Sequence, residues 1–160
     1  MRARLVPLPS SADSPPPQNT PPPPSPFQQS RRLLETATTA LAQAEASLGP
    51  LPTWCKATGV WAGAMFFDAA DVGRHAYGWP STGALMTGVG APYLGGRAAH
   101  HHDLAGPCVG IDTACSSSLV AAHGAATALR GSECWAGLAA GVNAMLWGGV
   151  TAGICALQAG

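Results

Sequence analysis

Residues 106–123 read Gly-Pro-Cys-Val-Gly-Ile-Asp-Thr-Ala-Cys-Ser-Ser-Ser-Leu-Val-Ala-Ala-His and change character within a few positions. Cys108 to Ile111 is apolar and partly β-branched, which predicts a short buried strand. From Ser116 to Leu129 the sequence is rich in alanine, with Leu119, Val120 and Leu129 as its larger apolar side chains, which predicts a helix. Asp112 and Thr113 stand where a helix N-cap belongs. The whole is a strand, a tight turn and a helix of small residues, and it puts Cys115 in the first turn of that helix.

A cysteine at such a place has a chemical use. A helix start presents unpaired N–H groups and a partial positive charge, both of which favour an anion. The thiolate is the form of cysteine that attacks a carbonyl, and the same N–H groups can receive the oxyanion that results. The competing reading is a buried structural cysteine among small residues, the common fate of a free thiol.

The residues themselves carry a family likeness. Asp112-Thr-Ala-Cys-Ser-Ser-Ser-Leu119 resembles the active-site signature of the β-ketoacyl synthases (ketosynthases) of modular polyketide synthases and fatty acid synthases. The flanks are similar too: Gly96-Arg97 with Leu104-Ala-Gly-Pro107 before it, and Leu129-Arg-Gly-Ser-Glu-Cys134 with Ala140-Gly-Val-Asn143 after it. The resemblance covers residues 28–160 and is most specific between 95 and 143. It implies an α/β chain, part of a thiolase-like layered αβαβα fold, with Cys115 as the catalytic nucleophile. It further implies acyl and malonyl-type thioester substrates, delivered on the phosphopantetheine of an acyl carrier protein, with no cofactor bound directly and a homodimeric parent.

Composition limits the partners and the compartment. Net charge is zero and 10% of residues are charged, so there is no basic footprint for nucleic acid. Five cysteines without CxxC spacing fit neither a disulfide framework nor a zinc site, and imply a reducing, cytoplasmic setting. The apolar stretch from Cys134 to Cys155 is interrupted by glycines and an asparagine, so it reads as buried strands and not a membrane span. The N-terminus lacks a secretory core. Its two arginines and Ser/Pro-rich character leave a plastid or other organelle address as the alternative.

Ten of the fifteen prolines fall in residues 1–26, which read as a disordered or polyproline II segment ahead of a partial synthase domain over 27–160. Phe27 to Leu48 repeats Leu33, Leu34, Ala37, Ala40, Leu41 and Ala44 at helical spacing and stops at Gly49-Pro50. Gln28-Gln29-Ser-Arg-Arg-Leu-Leu-Glu35 resembles the family's helix before its first central strand, and Arg31 and Glu35 are placed to pair at i, i+4. Thr58-Gly-Val-Trp-Ala-Gly-Ala-Met65 resembles that strand, with Val60 to Met65 the buried part. Phe66 to Thr87 reads as a loop with a short helix. Leu85 to His102 ends in a helix containing Arg97, and Cys134 to Met145 reads as a strand pair or a bent strand. Beyond it, Leu146 to Cys155 is less regular. His100, His101 and His102 are consecutive, so they point about 100° apart on a helix and do not close one metal site together.

The family's condensation step also needs two histidines, a lysine and a second oxyanion N–H, all in motifs downstream of the cysteine motif, and no stretch here matches them. His123 is eight residues along the helix, about 12 Å from the sulfur and out of hydrogen-bond reach. Three readings follow. The chain is a β-ketoacyl synthase fragment with an acyl-accepting Cys115, or a non-catalytic remnant or partner-binding piece. The third, a small cysteine acyltransferase or hydrolase, lacks an identifiable base.

Overall fold

In the computed structural model, the described residues are 25, 27–49, 57–65, 67–78, 83–146 and 148–157, with side chains at 75, 76 and 84–86 left aside. The Pro-rich segment lies outside these residues. The elements run α1 (Gln28–Leu48), β1 (Thr58–Gly63), α2 (Ala69–Tyr77), α3 (Gly83–Val89), α4 (Ala91–His101), β2 (Cys108–Ile111), α5 (Ser117–Arg130), β3 (Ala136–Gly141) and α6 (Gly148–Leu157).

The three strands form one parallel sheet in the order β2-β1-β3. Val60 pairs with Cys108 on one side and Leu138 on the other, and Gly63 with Ile111 and Gly141. A parallel pair needs a crossover, and crossovers are overwhelmingly right-handed. The chain leaves β1 toward β2 and then reverses past β1 to reach β3. That reversal sends the two crossover helices to opposite faces: α4 packs on one, together with α1, and α5 packs on the other. The result is the expected helix–sheet–helix layering.

Each face has its own core. On one side Leu33 and Ala37 of α1 and Leu94 and Ala98 of α4 close over Ala62 and Ala64. On the other, Trp61 is buried beneath Ala121, Ala125 and Ala128 of α5, with Cys134. Alternation along β1 therefore reads Ala62 to one layer and Trp61 to the other, and every residue of this central strand is buried. The helices over the sheet meet it largely through alanine, so they approach closely.

The structure departs from the sequence reading at several elements. β2 has the expected bounds, but Cys108, Val109 and Gly110 are exposed because the strand lies at the sheet edge. Residues 66–87 hold two helices, α2 and the start of α3, where one was expected. Of the strand pair or bent strand expected over 134–145, one strand forms, β3, with alternating exposure, and residues 148–157, read as less regular, are helical with no buried residue. β1 begins at Thr58 and ends at Gly63, two residues earlier at each end than its predicted buried part.

Candidate functional site around Cys115

Cys115 lies in the turn that joins β2 to α5, just beyond the carboxyl end of its strand. The N-cap of α5 is Ser116 and the first helical residue is Ser117, so the cysteine precedes the helix and is not in its first turn. Nor do Asp112 and Thr113 cap the helix. Their oxygens hold the turn instead: the Ala114 N–H donates to Asp112 Oδ1 at 3.1 Å, and Ser116 Oγ donates to the Thr113 carbonyl at 2.8 Å. The buried Ser117 completes it, accepting from the Thr113 N–H at 2.9 Å while its hydroxyl donates to the Ala114 carbonyl at 2.6 Å.

This turn is tight enough to force Ala114 into the left-handed region, at φ +56°. A non-glycine residue there costs on the order of 1 kcal/mol, met here by the serine and aspartate bonds around it. Two donors expected at the helix start are engaged within the turn, since the Ser116 N–H reaches the Thr113 carbonyl at 3.4 Å and the Ser117 N–H the Ala114 carbonyl at 3.1 Å.

Cys115 is an exposed free thiol that lines a cavity of about 410 Å³. The walls come from the carboxyl ends of all three strands: Gly63, Ala64 and Met65 after β1, Ser117 and Ser118 after β2, and Gly141, Val142 and Asn143 after β3. Open parallel sheets place ligand sites at this edge, beside the strand from which the chain turns both ways, which here is β1. Apart from the thiol, no titratable side chain is among the described residues lining the cavity.

The serines and the strand-end glycines around the cavity were not singled out from sequence, although the run Ser116-Ser117-Ser118 beside the cysteine was a visible signal. Asp68 was also missed. It is buried, and its Oδ2 accepts from the Leu146 N–H at 2.6 Å, tying the segment after β1 to the segment after β3. An acidic residue following Phe66-Phe67 in an otherwise apolar run was its only mark.

The other candidates fall elsewhere. His102 bonds Thr38 Oγ1 of α1 at 3.0 Å and meets His101 edge-on at 4.8 Å between ring centroids. Burial, and then the neighbouring His101, lower its pKa below the ordinary 6.5. Arg31 and Glu35 form the expected exposed pair, at 2.8 Å. Burial raises the pKa of the Cys108 thiol. Cys134 is buried, and His75 and Cys55 lie outside the described side chains.

Fold and cavity together describe a parallel α/β layer protein with an exposed thiol at the carboxyl edge of its sheet. Residues 25–159 match the family model for the β-ketoacyl synthase N-terminal domain, and the chain belongs to that family. It is 42% identical over 123 residues to a phenolphthiocerol/phthiocerol polyketide synthase of Mycobacterium tuberculosis, covering 74% of this chain and 6% of that protein. Over 124 residues it is 42% identical to polyketide synthase GfsE of Streptomyces halstedii, covering 76% of this chain and 3% of the relative. Against the mycoketide-CoA synthase of Mycobacterium tuberculosis it is 42% identical over 119 residues, 72% of this chain and 3% of the relative. The chain thus spans a small part of the length of these relatives.

Proposed function

We propose that this chain carries the acyl-accepting half of a β-ketoacyl synthase site acting in polyketide assembly, with Cys115 as the nucleophile. The observation that supports this most directly is the exposed thiol at the junction of three strand ends, within a chain of this family. In the proposed step the Cys115 sulfur attacks the carbonyl of an acyl thioester on a carrier protein. The new S–C bond forms, the bond to the carrier's pantetheine sulfur breaks, and that leaving thiol takes up the proton that Cys115 gave up. The main-chain N–H of Cys115 is the proposed donor to the oxyanion. The 410 Å³ cavity has the volume for the reacting end of the acyl group, with Met65 and Val142 as apolar wall.

Decarboxylation of a malonyl-type extender needs an imidazole or comparable group near the sulfur. The cavity lining has none among the described residues, so the proposed activity of this chain alone stops at acyl transfer. The same observation favours the second reading, a non-catalytic or partner-binding piece, if transfer itself fails. The four described cysteines are all free thiols, in keeping with a cytoplasmic setting, and no described helix is long and apolar enough to cross a membrane.

Incubation of the chain with a simple acyl thioester, followed by peptide mass spectrometry, tests this. Cys115 is expected to acylate at least tenfold faster than Cys108, an exposed residue whose thiol pKa is raised by partial desolvation, and faster than the buried Cys134. Equal or lower labelling at Cys115 would remove the nucleophile assignment. Malonyl thioester supplied to the acylated chain is expected to give no β-ketoacyl product.

A further inference from the structure

A second, larger cavity lies away from the cysteine. It is a groove of about 620 Å³ between α1 and α4, on the sheet face opposite α5. That volume is within the range of small-molecule sites. Its walls are aromatic and apolar, with Phe27 and Leu34 from α1 and Pro92 and Tyr93 from α4. Arg97 lies across it, its guanidinium carbon 4.5 Å from the centroid of the Phe27 ring, which extends that ring into a wider flat surface.

The fixed charges of the groove are the guanidinium groups of Arg31 and Arg97. Arg31, Arg97, His100 and His101 line it, and no carboxylate does among the described residues. Glu35 is shared by Arg31 at 2.8 Å and Arg32 at 3.7 Å, so two cations on α1 face a single anion. Arg97 donates to the Thr87 carbonyl at 3.2 Å, an uncharged partner, and forms no ion pair among the described residues. An apolar, ring-lined groove with a cationic rim is complementary to a flat apolar body that carries one negative charge.

We propose that the α1–α4 groove is a binding site for an aromatic carboxylate, separate from the cysteine cavity. The ring lies between Tyr93 and the Phe27–Arg97 layer, and the carboxylate accepts from the guanidinium groups of Arg97 and Arg31. His100 and His101, consecutive at the end of α4, supply further donors at the mouth.

Isothermal titration of the chain with naphthoate and with its uncharged amide, naphthamide, reads this directly. Naphthoate is expected to bind at least tenfold tighter than the amide. Gly96 lines the groove, and a Cβ placed there meets nothing within 4 Å, so Gly96→Phe introduces a ring into the groove from an unhindered attachment point. This variant is expected to lose naphthoate binding at least tenfold while its circular dichroism and the rate of Cys115 acylation stay unchanged. Arg97→Gln is expected to abolish the preference for the charged ligand. Equal affinity for the amide, or naphthoate binding that survives Gly96→Phe, would overturn the proposal.

Discussion

Ala114 holds a left-handed φ of +56° immediately before Cys115, and the strain is local to one Cα. Glycine adopts this conformation without the steric cost, though it adds entropy to the unfolded chain. Ala114→Gly is therefore expected to leave stability unchanged or raise it by up to about 1 kcal/mol, while Ala114→Val lowers it, as read by urea denaturation. The bonds that hold the turn were not predicted, because Asp112 was assigned to helix capping and Ser116 and Ser117 to the helix itself. That Cys115 sits on a turn between a strand and a helix was legible from its neighbours. Its place one residue ahead of the N-cap was not, because where the first helical residue falls depends on the turn geometry.

At the scale of elements, close approach of α5 to the sheet decides the geometry of the site. A Cβ at Gly63 would lie 2.6 Å from the Ser117 backbone, where neither partner has room to move. Gly63→Ala is expected to cost about 1–3 kcal/mol and to change the acylation rate of Cys115, since Ser117 anchors the turn. Denaturation and acylation measured on the same variant check both parts, and an unperturbed variant would show that α5 does not depend on this contact. Beside it, the indole of Trp61 occupies a slot cut by glycines, with the Cβ position of Gly124 2.9 Å from Trp61 Cδ1. The pattern Thr58-Gly-Val-Trp-Ala-Gly63 predicted a buried strand, but not that its largest side chain needs glycine on a helix 63 residues later (124 − 61).

Helices α1 and α4 are tied in part through the Thr38–His102 bond, and this link has a pH dependence. Burial and His101 lower the folded-state pKa of His102, so the unfolded chain binds the proton more readily. Stability from this residue is present above the ordinary value of 6.5 and falls as pH drops below it. Thermal unfolding between pH 7.5 and 5.5 is expected to show a loss in the wild-type chain that His102→Gln reduces. An unchanged slope in the variant would assign the loss to other groups. The three consecutive histidines were noticed in sequence, whereas their division into one interhelical bond and two groove-lining rings is a product of packing.

For the whole molecule, the sheet is open. β2 pairs with β1 alone among the described residues, so its outer edge faces solvent, with Val109 40% exposed. Leu119 of α5 is 72% exposed and Trp135, before β3, 73% exposed. An exposed strand edge on a chain with large exposed apolar side chains favours pairing with a further chain or segment. Val109→Lys is expected to shift the sedimentation of the chain toward monomer, in line with the homodimer that the family resemblance implies. Sedimentation that is monomeric in both, or identical in both, would count against pairing through this edge.

Local periodicity and one contiguous motif were enough for the α/β class, the bounds of α1 and α5 to within a residue or so, the turn that carries the cysteine and the family. They left open the strand order, the exposure of β2, the cavity assembled from three strand ends and the groove between α1 and α4. Those were decided by tertiary structure. Each depends on segments tens of residues apart, brought together by the reversal of crossover direction around β1, and no local pattern records which side of a sheet a helix will cover.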